Sequence, residues 1–300
     1  MNGTVYASSL TKRFGRTQAL DGLDLTVPEG SVYALVGPNG AGKTTTIKIL
    51  MNLLRATSGD ASVLGRDSRA LEPADYARIG YVSENQALPL WMPVGYFMEY
   101  LRPFYSTWDR ALADRLLRQL ELPLDRKLRH LSRGMRMKAA LAASLAYHPR
   151  LIVLDEPFSG LDALVRDELI ESLLDAAAES TVFISSHDLA EIESFCSHVG
   201  FLHRGRLQSS EELPALTARF REIEVTCPAT VAPPEPWPEH WLNRACSGPV
   251  ARFTDSHFDA ATSPRRIHAL FGQDCRIDVK PLSLRAIFVA LTKSNREAAL

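Results

Sequence analysis

Residues Gly37-Pro38-Asn39-Gly40-Ala41-Gly42-Lys43-Thr44 fill the pattern G-x-x-x-x-G-K-[ST], and Thr45 follows. No other feature restricts the fold as much. Before it, Ser31–Val36 (SVYALV) is a short apolar run that predicts a buried strand. After it, Lys43–Leu54 places Ile47, Leu50, Met51 and Leu54 at helical spacing. Strand, glycine-rich loop and helix in that order make a phosphate cradle. The glycines let the backbone bend around a phosphate chain, successive N–H groups point inward, and the helix brings the positive end of its dipole to the same place. Lys43 is then placed to reach β- and γ-phosphates, and the Thr44 hydroxyl to ligate Mg²⁺.

Further along, short apolar runs alternate with helical patterns. Leu151–Leu154 predicts a second buried strand and Thr181–Ser185 a third, with helices over Asp162–Ala178 and Asp188–Cys196. Such alternation implies a parallel sheet covered on both faces, with the strand ends and the glycine loop at one edge. The second strand runs into Asp155-Glu156 and the third into Ser186-His187-Asp188. At that edge Asp155 would hold Mg²⁺, directly or through water. Glu156 would face the water that attacks the γ-phosphate, and neutral His187 would donate to that phosphate. Taken singly, a strand running into acids or a lone histidine is ordinary; the glycine loop gives them their meaning.

Leu131-Ser132-Arg133-Gly134-Met135 opens a long Ala/Leu helix. A serine–glycine turn there reads either as an ordinary N-cap or as a second anion-binding helix tip. One chain's own loop already cradles its nucleotide, so the second tip is best explained by a nucleotide held on another copy. Residues 94–148 read as mostly helical, with a Leu112, Leu116, Leu117, Leu120 stripe and breaks at Pro103 and Pro123. Thr4–Ala7 and Leu23–Val27 read as strands punctuated by turns at Asp21-Gly22 and Pro28-Glu29-Gly30.

The motifs stand in a telling order: Phe14-Gly15, GPNGAGKTT at 37–45, YVSENQ at 81–86, LSRGM at 131–135, LIVLDEP at 151–157, SGLD at 159–162 and SSHD at 185–188. Over residues 4–220 the chain resembles the ATP-binding-cassette ATPases, the nucleotide-binding subunits of ABC transporters. That resemblance implies an α/β P-loop NTPase fold with a parallel core sheet, an N-terminal antiparallel β-subdomain and an inserted helical subdomain. It implies ATP as the nucleotide, Mg²⁺ as the metal, and Phe14 stacked on adenine. Ser132 and Gly134 would contact the γ-phosphate across a head-to-tail dimer, with Asp162 coupling the two sites. Glu156 would be the general base and His187 the γ-phosphate sensor. Glu84 stands where the family usually has glutamine; it keeps the capacity to ligate Mg²⁺ but, ionised, cannot donate a hydrogen bond, and Gln86 is the other candidate for that role. Arg133 and Met135 also depart from the usual signature, adding charge near the phosphates. The pattern is similar to single-cassette exporter ATPases with a short C-terminal extension.

The chain has 300 residues and a formal net charge of -1, a balance that argues against non-specific nucleic-acid binding, and no nucleic-acid partner is expected. No apolar run approaches the ~18–20 residues that span a bilayer, and the first residues hold no secretory h-region. A cytoplasmic subunit, peripheral on the inner face of the membrane, follows, partnered by an integral-membrane permease and a second ATP-binding subunit, expected to be an identical copy. The aromatic stretch 88–105 (LPLWMPVGYFMEYLRPFY) reads either as a bulky core helix or as part of a groove for a permease helix. The alternative function is a soluble ABC ATPase that remodels a ribosome or nucleic-acid complex. A single cassette, and a Lys43–Leu131 stretch too short for a long coiled coil, weigh against it. Four cysteines without C-x-x-C spacing predict reduced thiols. From residue 228 the texture changes: PATVAPPEPWP cannot be helix or central strand. Strands at Val250–Phe253 and Arg276–Val279 and helices at Pro264–Phe271 and Leu282–Leu291 then predict a small α+β domain over 221–300.

Overall fold

A computed structural model describes residues 3–84, 86–230 and 234–297. Asn85 of the YVSENQ motif, residues 231–233 of the proline-rich stretch and the last three residues of the expected C-terminal domain lie outside the described residues. In chain order the first part holds β1 (Val5–Phe14), β2 (Thr17–Val27), β3 (Val32–Val36), α1 (Lys43–Leu50), β4 (Ser58–Val63), β5 (Arg66–Asp67), α2 (Pro73–Tyr76), β6 (Ile79–Ser83), α3 (Val94–Leu101), α4 (Arg110–Gln119) and α5 (Arg133–Leu145). There follow β7 (Leu151–Asp155), α6 (Ala163–Ala176), β8 (Thr181–Ser186), α7 (Leu189–Ile192), β9 (His198–His203) and β10 (Arg206–Glu212). The second part holds α8 (Leu213–Arg219), β11 (Arg221–Thr226), β12 (Trp241–Ser247), β13 (Val250–Asp255), α9 (Ser263–Phe271), β14 (Arg276–Pro281) and α10 (Leu284–Glu297).

The central sheet has the order β10-β9-β3-β8-β7-β6, and its β9-β3-β8-β7-β6 portion is parallel. Every residue of β7 and β8 is buried, as continuous apolar runs in a doubly covered sheet require. The register aligns the strand ends that matter. Val36 pairs with Ser186, Asp155 with Ser185, and Ser83 with Asp155. Parallel strands in register therefore deliver Gly37, Glu84, Glu156 and His187 to one edge. A separate antiparallel sheet, β2-β1-β4-β5, forms the expected N-terminal β-subdomain.

Two elements differ from expectation, the end of α1 and the helix after β8, while the helical region 94–148 is broken near the prolines as expected. Helix α1 stops at Leu50 rather than Leu54, because Asn52 takes a left-handed φ of 54° and turns the chain. The region 94–148 holds three helices, α3, α4 and α5, separated by short turns at 102–104 and 128–130; Pro103 lies in the first, and Pro123 in the loop after α4. The helix expected over Asp188–Cys196 is only the single turn α7, capped by the Asp188 carboxylate, which accepts from Ala190 N at 3.0 Å.

The chain divides into two compact units, Met1–Ser210 and Glu211–Leu300, ten residues ahead of the expected boundary at 220/221. Helix α8 belongs to the second unit, where Arg219 donates to both Glu211 carboxylate oxygens at 2.6 and 2.9 Å and to Ser256 O at 2.6 Å. That unit is built on an antiparallel sheet in the order β12-β13-β11-β14. Strands β11 and β12 were not foreseen, although Ile223 and Val225 alternate inward between charged neighbours. Cys227 and Cys275 form a disulfide, in place of the expected free thiols. The cause is register. Thr226 pairs with Arg276 in the antiparallel β11–β14 ladder, so the flanking cysteines face each other, with Cα atoms 4.2 Å apart. Cys196 and Cys246 are free.

The second unit's core is aromatic: Trp241 is buried and stacks on Phe253 with centroids 3.9 Å apart, beside Phe271 and Trp237. Trp241→Ala should remove about 3–5 kcal/mol of stability from this unit. Urea titration of the full chain, followed by the fluorescence of the remaining tryptophans, would reveal the shift. An unchanged profile would mean that the stack carries no stability.

Candidate functional site

The phosphate loop runs from the end of β3 into α1, as the sequence predicts. Two glycines have stringent reasons to be there. A Cβ on Gly37 would lie 2.1 Å from Leu202 O, and Gly42 combines a φ of +114° with a Cβ position 2.7 Å from Ala19 O. Gly42 is the N-cap of α1, and no side chain caps that end, so the first-turn N–H groups remain directed at the loop. Pro38, Asn39 and Gly40 are exposed, Ala41 is buried and Thr45 lies in the first turn of α1.

Five predicted residues converge here. Lys43 is only 5% exposed; its Nζ donates to Gly37 O at 2.7 Å and pairs with Glu156 Oε1 at 3.0 Å. The other Glu156 oxygen meets His187 Nδ1 at 2.7 Å. Thr44 Oγ1 donates to Asp155 Oδ1 at 3.0 Å. Glu156 has a left-handed φ of 52°, a conformation that costs about 1–3 kcal/mol and concentrates at functional sites. Its N–H is held by Ser185 Oγ at 3.0 Å, and Ser185 in turn donates to Asp155 Oδ1 at 2.7 Å. Sequence reasoning passed over Ser185. Its signal was the position itself, the strand residue just before Ser186-His187 and in register with Asp155.

Asp155 is nearly fully buried. Burial pushes its carboxyl above the usual carboxylate range, the hydroxyls of Ser185 and Thr44 pull it back, and the neighbouring Glu156 charge pushes it up again. A desolvated carboxylate beside a threonine hydroxyl is a hard-oxygen donor set, which fits a small divalent cation better than a soft metal.

The other predicted residues have their contacts elsewhere. Phe14 is exposed at the end of β1, with Lys12 Nζ 4.9 Å from its ring centroid. Ser132 caps α5, accepting from Met135 N at 3.2 Å, and is exposed. Gly134 is buried, and a Cβ there would approach Val165 Cγ1 to 3.1 Å. Asp162 caps α6 by accepting from Val165 N at 3.0 Å. Glu84 N donates to Asp155 O at 3.1 Å, while the Glu84 carboxylate pairs with Arg133. Gln86 is exposed, its N–H bonded to Ser83 O.

A glycine cradle at the edge of a parallel sheet, backed by a buried Asp, a strained Glu and a His, defines a P-loop nucleoside triphosphatase. The ABC transporter family model matches residues 20–159. The ABC transporter ATP-binding protein YtrB of Bacillus subtilis (strain 168) is 31% identical over 220 residues, which are 72% of this chain and 74% of that protein. The daunorubicin resistance ATP-binding protein DrrA2 of Streptomyces coeruleorubidus is 39% identical over 209 residues, 67% of this chain and 65% of that one. Among solved structures, the dimeric post-hydrolysis state of the ATP-binding cassette MJ0796 with ADP and Pi superposes with a TM-score of 0.60 at 25% identity, covering 70% of this chain and 98% of that one. The chain belongs to the ATP-binding subunits of ABC transporters. It is an ATPase subunit that powers transport through a separate membrane component.

Proposed function

We propose that the cluster around Glu156 hydrolyses ATP in a head-to-tail dimer of this chain and drives export through a membrane permease. The carrying observation is the continuous contact chain Thr44–Asp155–Ser185 and Lys43–Glu156–His187 at one sheet edge. The loop from Gly37 to Gly42, with Lys43, Thr44 and Thr45, binds the phosphates, and exposed Phe14 stacks on adenine. Glu156 takes the proton of the attacking water. His187, held against it, passes a hydrogen bond to the γ-phosphate and orients the carboxylate. Thr44 and Asp155 would hold Mg²⁺, with Glu84 as a further ligand, and the cation would supply positive charge to offset the charge on the phosphates.

Ser132, aided by Gly134, presents the tip of α5 to the γ-phosphate of a second copy, and Asp162 links the two sites. Closing the two copies excludes water, and loss of the γ-phosphate releases them. Export of a toxic compound gains support from the relative named for daunorubicin resistance. Among the described residues no helix is long and apolar enough to cross a membrane. ATPase activity that rises when the purified chain is reconstituted with the membrane protein captured with it from native membranes would bear the proposal out. Pelleting with ribosomes instead would overturn it.

The permease docks beside this site. A groove of about 420 Å³ is lined by Ser83, Glu84, Leu88, Leu90, Arg136 and Met137, among others. Nearby in sequence, Trp91 is 61% exposed with Tyr96 6.3 Å away, ring to ring. An exposed aromatic pair suits a hot spot for a permease helix. Trp91→Ala should weaken recruitment to permease-containing vesicles about tenfold while leaving basal ATPase activity intact. Equal recruitment of both proteins would remove Trp91 from the docking surface.

A further inference from the structure

The two departures from the family's motifs meet in space. Arg133 Nη2 forms an ion pair with Glu84 Oε1. The same guanidinium lies over Gly160, where an added Cβ would come within 3.2 Å of Nη1. One side chain thus links the loop after β6, the first turn of α5 and the loop leading to Asp162. The Glu84 backbone is meanwhile fixed one strand from the metal residues, through its N–H to Asp155 O. Charge on both partners is essential: a glutamine at 84 or a glycine at 133 could not make this pair. The partners are 44% and 28% exposed, so the pair can break. Exposed pairs of this kind shift an equilibrium only a few-fold.

We propose that Arg133 is a positioning residue that holds Glu84 away from the metal in the separated subunit. Glu84 then reaches its metal-ligating position only by exchanging the guanidinium for the cation. The inference rests on the reading of Glu84 as a metal ligand. It makes Arg133 a brake on metal binding that dimer closure lifts, because closure engages the tip of α5 with the opposite copy.

The test uses Mn²⁺, which shares the oxygen preference of Mg²⁺, with a non-hydrolysable ATP analogue and the full chain diluted until size-exclusion chromatography shows separated subunits; free Mn²⁺ is read by electron paramagnetic resonance. Arg133→Ala should bind Mn²⁺ about two- to five-fold more tightly than the wild type. Arg133→Lys, which keeps the charge, should remain near the wild type. In a Glu84→Ala background, Arg133→Ala should change nothing. The difference between wild type and Arg133→Ala should shrink in 0.5 M salt, where exposed charges are screened. Arg133→Gln serves as the second neutral variant should alanine unfold the tip of α5. Equal Mn²⁺ affinity with and without Arg133, or a gain that persists without Glu84, overturns the proposal. Analogue binding in Lys43→Ala separates this from a failure of the site reading. If Lys43→Ala still binds the analogue tightly and still hydrolyses ATP, the nucleotide site is wrong. If binding needs Lys43 but Mn²⁺ ignores Arg133, only the brake is wrong.

Discussion

Glu156→Gln is expected to lower ATP hydrolysis by about 10²-fold or more while ATP binding persists and a dimer accumulates. The substitution keeps size and shape, and it leaves the Glu156 N–H to Ser185 Oγ bond untouched. It removes the acceptor for the water proton and the charge facing Lys43 at 3.0 Å. Lys43 is then released entirely to the phosphates, so affinity for ATP should hold or rise. With hydrolysis blocked, the γ-phosphate stays between the two copies and nothing parts them. Phosphate release reports the first effect, and size-exclusion chromatography with saturating Mg-ATP reports the second. Near-normal hydrolysis would dismiss Glu156 as the base. A variant that binds ATP but remains monomeric would dismiss the shared-site dimer. His187→Ala gives no such clean separation, since it frees one Glu156 oxygen and at the same time removes the proposed phosphate contact.

Legibility followed the range of the interactions. The parallel core could be read from sequence because β3, β7 and β8 are continuous apolar runs, and a strand buried on both faces needs such composition. Once those strands are parallel and in register, the convergence of Lys43, Asp155, Glu156 and His187 follows from the residues after each strand. The Arg133–Glu84 pair could not be read, because it depends on how the tip of α5 leans over the loop after β6. The expectation that Arg133 adds charge near the phosphates did not name its partner, which is its own chain's Glu84. The Cys227–Cys275 disulfide hung on the register of β11, a strand that was not foreseen. The end of α1 was set by one residue, Asn52, adopting a left-handed turn that apolar spacing does not encode.

Lys43→Ala should fail earlier in the cycle than Glu156→Gln, at binding itself. The ammonium is almost wholly buried and satisfied by Gly37 O and Pro38 O as well as by Glu156. Those partners hold it at the mouth of the glycine loop as a compact point charge, which suits phosphate oxygens in a confined cradle. Truncation removes that charge and leaves Glu156 facing the loop without its cation. The uncompensated carboxylate would then repel the phosphates that the loop must admit. ATP affinity should fall by about 10²-fold or more, the equivalent of about 2.7 kcal/mol, and hydrolysis should drop to background. Lys43→Arg should not rescue it, because a planar fork does not fit where the buried ammonium sits. Fluorescent-nucleotide titration alongside phosphate release checks both. The pair of variants divides the mechanism at one step: Glu156→Gln binds without turning over, and Lys43→Ala does not bind. Were Lys43→Ala to bind ATP normally and lose only hydrolysis, its contact with Glu156 rather than with phosphate would be the functional one, and Lys43 would belong to the machinery that positions the base.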